Sequence, residues 1–252
     1  MKENIDSLLS QNFKDTVNSA VNSGKVINFE THVLGDSGET KLKYIILVIL
    51  EKCGRPDLME LIYTSAKELI VNSIKAAIKR IILNESTFSH DDPEEYQRIM
   101  EEFKESLTDK KFPHFREKMK MNGFKVNVKF YYDEQKIILK IINNFILLDQ
   151  EEKRIREKFV KAKKYDNLFE FYMENSDNTE GAGMGITLVE ILLLQSGFDR
   201  HLFTIYSRED QTVAKLELPL KDTYIPARFQ FLELLKSSSI NNLEELRKKF
   251  RK

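Results

Sequence analysis

Residues 180–198 read EGAGMGITLVEILLLQSGF. Gly181, Gly183 and Gly185 alternate with Ala182 and Met184, and an apolar helical run follows from Ile186 to Leu194. Glycine admits positive φ and lets another molecule approach the main chain. A helix N-terminus adds unpaired N–H groups and a partial positive charge. The pairing makes a cradle for phosphate. The competing reading is a tight loop whose glycines serve packing alone. A second polar set lies on KELIVNSIKAAI, residues 67–78. At 100° per residue, Glu68, Asn72, Lys75 and Lys79 share a narrow arc. Leu69, Ile70, Ile74, Ala77, Ile78 and Ile81 cover much of the remainder, so the helix is largely buried and keeps one polar stripe.

The elements that position these residues are legible from periodicity. Residues 57–83 form the longest helix, with Asp57 as its N-cap. Before it, helical spacing over 2–22, alternation over 25–34 and an apolar run over 40–54 predict helix, strand and helix. Residues 84–123 are charged and punctuated by Pro93 and Pro113, which predicts two surface helices, about 93–107 and 113–121. A hairpin follows at 124–143, turning at Asp133–Gln135. Next come a charged helix at 149–164, a short one at 166–174 and a polar loop at 175–180. After the glycine loop and its helix, 201–220 is a second hairpin, turning near Glu209–Asp210. The tail from Ile225 onward is amphipathic and helical. Its leucines at 232, 234, 235, 243 and 246 suit packing on the domain or on a second copy, as in a homodimer. Strands in antiparallel pairs with helices between them predict an α+β sandwich with helices on one face of the sheet.

Composition narrows the classes. Apolar residues make up 41% of the 252, so a core can form. Forty basic residues balance forty acidic ones, which gives no general pull toward nucleic acid. Cys53 is the single cysteine, so an internal disulfide is excluded, and a cysteine-based zinc site does not fit. The four histidines show no metal-ligand spacing. No apolar run approaches the roughly 20 residues of a membrane span. The N-terminus carries no apolar signal core. These features predict a cytoplasmic protein. The glycine spacing G-x-G-x-G, placed late in the chain, fits neither a dinucleotide fingerprint nor a Gly-Lys-Ser/Thr phosphate loop.

Taken in order, KELIVNSIKAAI, EGAGMGITLVEIL and IYSREDQTVAKLELPL resemble the N box, G2 box and closing strand–turn–strand of the GHKL ATPase superfamily. That group includes histidine-kinase catalytic domains and anti-sigma-factor kinases. The resemblance covers roughly 57–220 and implies a Bergerat-type two-layer sandwich, with a mixed, mostly antiparallel sheet. It implies ATP and Mg²⁺ as ligands. Asn72 matches the Mg²⁺-coordinating Asn, and Lys75 the basic residue that faces phosphate. Gly181, Gly183, Met184 and Gly185 match the backbone phosphate cradle, and Thr212 the usual Gly-Thr position. Glu68 sits where some members keep the general base, one turn before Asn72; the alternative is a plain surface carboxylate. The family's G1 box, Asp-x-Gly-x-Gly, falls on Asn143-Asn144-Phe145-Ile146-Leu147. Asn143 takes the place of the Asp that accepts the adenine amino proton, and its amide can either accept or donate there. Phe145 and Leu147 replace both glycines.

The chain thus divides into a helix–strand–helix extension (1–56), a histidine-kinase-like ATPase domain (57–220) with a helical insertion at 84–123, and a helical tail (221–252). The resemblance implies an ATP/Mg²⁺-binding regulator in a signalling pathway, acting on a separate protein partner by phosphotransfer or ATP-dependent control. As an enzyme it would be a histidine-kinase-like ATPase or protein kinase. The alternative is a degenerate, non-catalytic module that serves protein interaction or dimerisation. The segment before residue 57 is too short for the helical hairpin that carries a sensor kinase's phosphoacceptor histidine.

Overall fold

The computed structural model describes residue 5 and residues 7–85, 112–175 and 184–237. Its elements are α1 (Gln11–Asn22), β1 (Ile27–Thr31), α2 (Asp36–Cys53), α3 (Met59–Glu85) and α4 (Phe112–Met121). They continue with β2 (Val126–Tyr132), β3 (Lys136–Asn143), α5 (Asp149–Ala162), α6 (Leu168–Asn175) and α7 (Met184–Gln195). Strands β4 (Phe203–Arg208) and β5 (Gln211–Pro219) and helix α8 (Ala227–Ser237) complete them. The helix expected at 93–107 and the tail beyond Ser237 lie outside the described residues.

Local chemistry explains the element ends. Helix α1 starts at Gln11 because Ser10 caps it: its hydroxyl accepts the Phe13 N–H at 3.4 Å. Residues 1–4 and 6, where the expected helix began, lie outside the described residues. Helix α2 stops at Gly54, whose φ of 66° closes the last carbonyls in the left-handed conformation. The β2–β3 turn is held by Asp133, whose carboxylate accepts the N–H groups of Gln135 and Lys136 at 2.8 and 3.0 Å. Glu209 supplies the positive φ, 54°, of the two-residue β4–β5 turn.

The five strands form one sheet in the order β1-β2-β3-β5-β4. Every pairing is antiparallel, where a mixed sheet was expected. Strands β1 and β4 are its edges. Alternate residues of β2 and β3, including Val128, Phe130, Leu139 and Ile141, point into the core beneath α3. From α3, Ile70, Ile74, Ala77, Ile78 and Ile81 meet them with no exposed surface. Truncating one of these isoleucines to Ala costs about 2–5 kcal/mol.

Helices were expected on one face only. Between β3, β5 and β4 the other face is buried as well, around Ile142, Tyr206 and Val213. On that face Lys129, Lys140 and Lys215 lie opposite one another across three strands. Like charges in register repel. Lys215 is relieved by Glu217 at 2.6 Å. Glu217 also accepts the Tyr224 hydroxyl at 2.6 Å and the Ala227 N–H at 2.9 Å. A buried carboxylate thereby ties the start of α8 to the sheet. Among the described residues no helix is long and apolar enough to cross a membrane.

Candidate nucleotide site

Helix α3 is buried on most sides because its apolar residues recur around three quarters of its circumference. The remaining stripe, Glu68, Asn72 and Lys75, is half-buried. Helix α7 runs against it. Gly185, the second residue of α7, is the point of closest approach. A Cβ there would lie 2.6 Å from Asn72 Nδ2 and 2.9 Å from Glu68 Oε2. A side chain there would push both tips aside, so this glycine matters by contact rather than by φ. The two motifs, more than a hundred residues apart in the chain, therefore meet at one point. Met184 turns its side chain to the Tyr165–Phe171–Ile191 cluster. Gly181 and Gly183 lie outside the described residues.

Beside this contact a cavity of about 210 Å³ opens between α3, the end of β3, α5 and β5. Leu69, Ala76, Ile155, Ile186, Ile205 and Ala214 make it mostly apolar. Asn143 and Thr212, directly paired across β3 and β5, close one end. Asn143 is 4% exposed, and its Nδ2 donates to the Ser73 carbonyl at 3.0 Å. That bond decides the amide's orientation, since a carbonyl needs a donor. Oδ1 is the atom left to accept from a ligand. Thr212 donates its hydroxyl hydrogen to the Phe145 carbonyl at 2.7 Å. It thus holds the wall of the cavity, while its oxygen keeps acceptor capacity.

The stretch after β3 is fastened to α3 by Arg80. Its guanidinium donates to both Glu151 oxygens at 3.1 and 2.8 Å and to the Ile146 carbonyl. It also lies 4.0 Å over the Phe145 ring. Burial pushes the Glu151 carboxyl up, but Arg80, the Leu148 N–H and Lys79 outweigh it and hold it below the usual range. Lys79, the last residue of the polar stripe, is buried and 3.7 Å from Glu151.

Helix α5, expected to be a solvated charged helix, turns one face inward. Glu151, Arg154, Ile155 and Lys158 border the cavity at i, i+3, i+4 and i+7. Lys158 is pushed below its usual range by burial, then by the Arg154 and Lys75 charges. Lys158 thus feels two further cations, Arg154 on its own helix and Lys75 on α3. Arg154, Lys158 and Arg80 escaped the motif reading. The helical spacing of 151, 154, 155 and 158 carried the signal. Among the described residues no cluster of three His, Cys, Asp or Glu side chains suits a metal.

On α7, Glu190 is 4% exposed and its Oε2 has no hydrogen-bond partner among the described residues. Burial pushes its carboxyl up to about 7, against the pull of Arg200 and Lys163. Arg200 itself is engaged by the Ala162 and Tyr165 carbonyls and the Asp166 carboxylate at 2.6, 2.6 and 2.8 Å.

No protein-family model matches this chain, and no solved structure matches it. An uncharacterized protein of Treponema pallidum (strain Nichols) is 26% identical over 205 residues, 81% of this chain and 40% of that protein. The chain therefore spans about two fifths of the length of the relative it matches.

Proposed function

We propose that the chain is a GHKL-type regulator that binds ATP and Mg²⁺ and controls a separate protein partner, by phosphotransfer or by its nucleotide state. One observation carries the reading: the Gly185 backbone touches Asn72 and Glu68 at the mouth of an apolar cavity that ends in the Asn143 acceptor. The residues fit the ligands. Asn72 Oδ1 is an oxygen donor of the kind Mg²⁺ takes alongside phosphate oxygens and waters. Its side chain makes no hydrogen bond within the described residues. Lys75 and Lys158 supply positive charge for phosphates, and the α7 N-terminus adds backbone N–H groups. At about 210 Å³ the cavity is smaller than the about 300–1,000 Å³ of drug-sized ligand pockets. It suits a base, with the phosphates at the charged mouth.

Mg²⁺, when bound, supplies charge for the β- and γ-phosphates during phosphoryl transfer. The protein's part is positional. Asn143 orients the base edge through its acceptor, and Lys75 and Lys158 hold negative charge in place. Glu68, against the same glycine as Asn72, is placed to take a proton from an attacking hydroxyl or water. A cytoplasmic site of action, where ATP is abundant, goes with this reading.

The non-catalytic alternative has one observation in its favour. Phe145, fixed by Arg80, stands where the family keeps glycine. Calorimetric titration of the wild type and Asn72→Ala with ATP, with and without Mg²⁺, separates the two. The proposal expects wild-type binding that tightens with Mg²⁺ and a variant in which that tightening is lost. Equal Mg²⁺ dependence in both removes Asn72 from the site, and no binding to either leaves the non-catalytic module.

A further inference from the structure

The stretch that replaces the glycine-rich loop is tied down residue by residue. Asn144 Nδ2 donates to the Gly123 carbonyl at 2.8 Å, and its Oδ1 accepts the Lys125 N–H at 3.1 Å. The Phe145 carbonyl accepts from Thr212, and the Leu147 N–H donates to Ser207 Oγ at 3.2 Å. The Leu148 N–H donates to Glu151 Oε2 at 3.0 Å. Phe145 is thus held on a fixed backbone. Phe124 meets its ring edge-on, centroids 5.4 Å apart and planes at 84°. Phe145 borders the cavity, and the Arg80 guanidinium lies over one face of its ring.

We propose that Phe145 is a stacking platform for a heteroaromatic base with an exocyclic amino group, so that the base lies as the outer layer of an Arg80–Phe145–base stack with its amino group on Asn143. This rests on the nucleotide reading above and adds how the base is read. The alternative role for the ring is a plug that fills the space of a lost base site. Three features favour the platform. The cavity beside the ring remains open. A guanidinium on one face polarises the ring and fixes its plane, which suits an aromatic partner on the other. Glu151 pairs that guanidinium, so the layer carries little net charge and a neutral base is accepted. The Asn143 acceptor lies two residues from the platform and distinguishes an amino group, as on adenine or cytosine, from a keto oxygen.

The test is the affinity of the full chain for Mg-ATP and for magnesium tripolyphosphate, which has no base. It compares wild type, Phe145→Leu and Phe145→Tyr, with a melting curve of each unliganded variant. Phe145→Met, close in volume, replaces Leu where Leu does not fold. Stacking on an aromatic side chain predicts about tenfold weaker ATP binding for Phe145→Leu. Tripolyphosphate affinity is unchanged, and Tyr, which keeps the ring, restores ATP. Unchanged or tighter ATP binding in Phe145→Leu makes the ring a plug and overturns the platform. An equal loss of both ligands also overturns it, because the effect then lies in the phosphate end. Wild type that binds tripolyphosphate as well as ATP overturns base recognition but leaves the phosphate site. Wild type that binds neither overturns the nucleotide reading itself.

Discussion

The two ends of the cleft are built differently. The proposed phosphate end is made by a contact between helices, Gly185 against Glu68 and Asn72, with Lys75 and Lys158 at hand and few hydrogen bonds among them. The base end is made by side chains that are already committed: Asn143 to Ser73, Thr212 to Phe145, Arg80 to Glu151. Among the described residues an open set of polar groups has hydrogen-bonding capacity to spare, which a ligand can take up. A closed set defines a shape, and a ligand must fit it. On the proposed reading, the phosphate end then decides whether an anion binds, and the base end decides which one.

The largest effect that breaks this contrast is expected at Arg80. Arg80→Met leaves Glu151 buried beside only Lys79, and removing one partner of a buried pair costs about 3–5 kcal/mol. Chemical denaturation measures it. The double variant Arg80→Met/Glu151→Leu recovers most of the loss, because the carboxylate that lost its guanidinium is removed with it. No recovery means that the guanidinium acts through the Ile146 carbonyl and the Phe145 ring instead.

Next is Glu190, behind the phosphate end. Its folded pKa, about 7, exceeds the ordinary carboxyl value of 4.5, so between these pH values the folded state binds more protons than the unfolded one. Stability then falls as pH rises through that window, and above about 7 the full cost of burying the charge is present. Glu190→Gln removes the fall and gains on the order of 3 kcal/mol at pH 8. Melting curves from pH 5 to 8 read it; parallel profiles for wild type and variant contradict it.

Gly185→Ala sharpens the comparison by separating fold from ligand. The added methyl meets only the tips of Asn72 and Glu68, which rotate away. Stability therefore changes by less than about 1 kcal/mol, while Mg²⁺-dependent nucleotide affinity drops about 10–100-fold, as when a metal ligand is displaced. A large loss of stability with intact binding marks a packing glycine. The smallest effect is expected for Thr212→Val, which leaves the Phe145 carbonyl without its donor and costs about 1 kcal/mol in denaturation. ATP binding should weaken and tripolyphosphate binding should not.

The contact between Gly185 and the Glu68–Asn72 stripe was legible in the sequence because both of its parts are local. A polar stripe on an otherwise apolar helix and a run of glycines before another helix show in short windows. The sheet was legible for the same reason: β2 and β3 alternate strictly, and Asp133 marks their turn. The base end was not. Arg80 carries no mark of its role until Glu151, seventy-one residues on, is placed beside it. Arg154 and Lys158 sit on a helix whose many charges hide its one inward face. Asn143 was open to both donor and acceptor roles until Ser73 decided between them. The helix break at Ser10 and the buried second face of the sheet likewise depend on partners that no local pattern names.

The central claim, that the cleft joins an anion end to a base end, is tested most directly by melting the wild type with and without Mg-ATP. Ligand at one hundred times its Kd stabilises the folded state by about 2.7 kcal/mol. For a chain of this size that raises Tm by about 5–10 °C. The account predicts such a rise with Mg-ATP and a smaller one with Mg-GTP or tripolyphosphate. No rise with any of the three at millimolar concentration contradicts it.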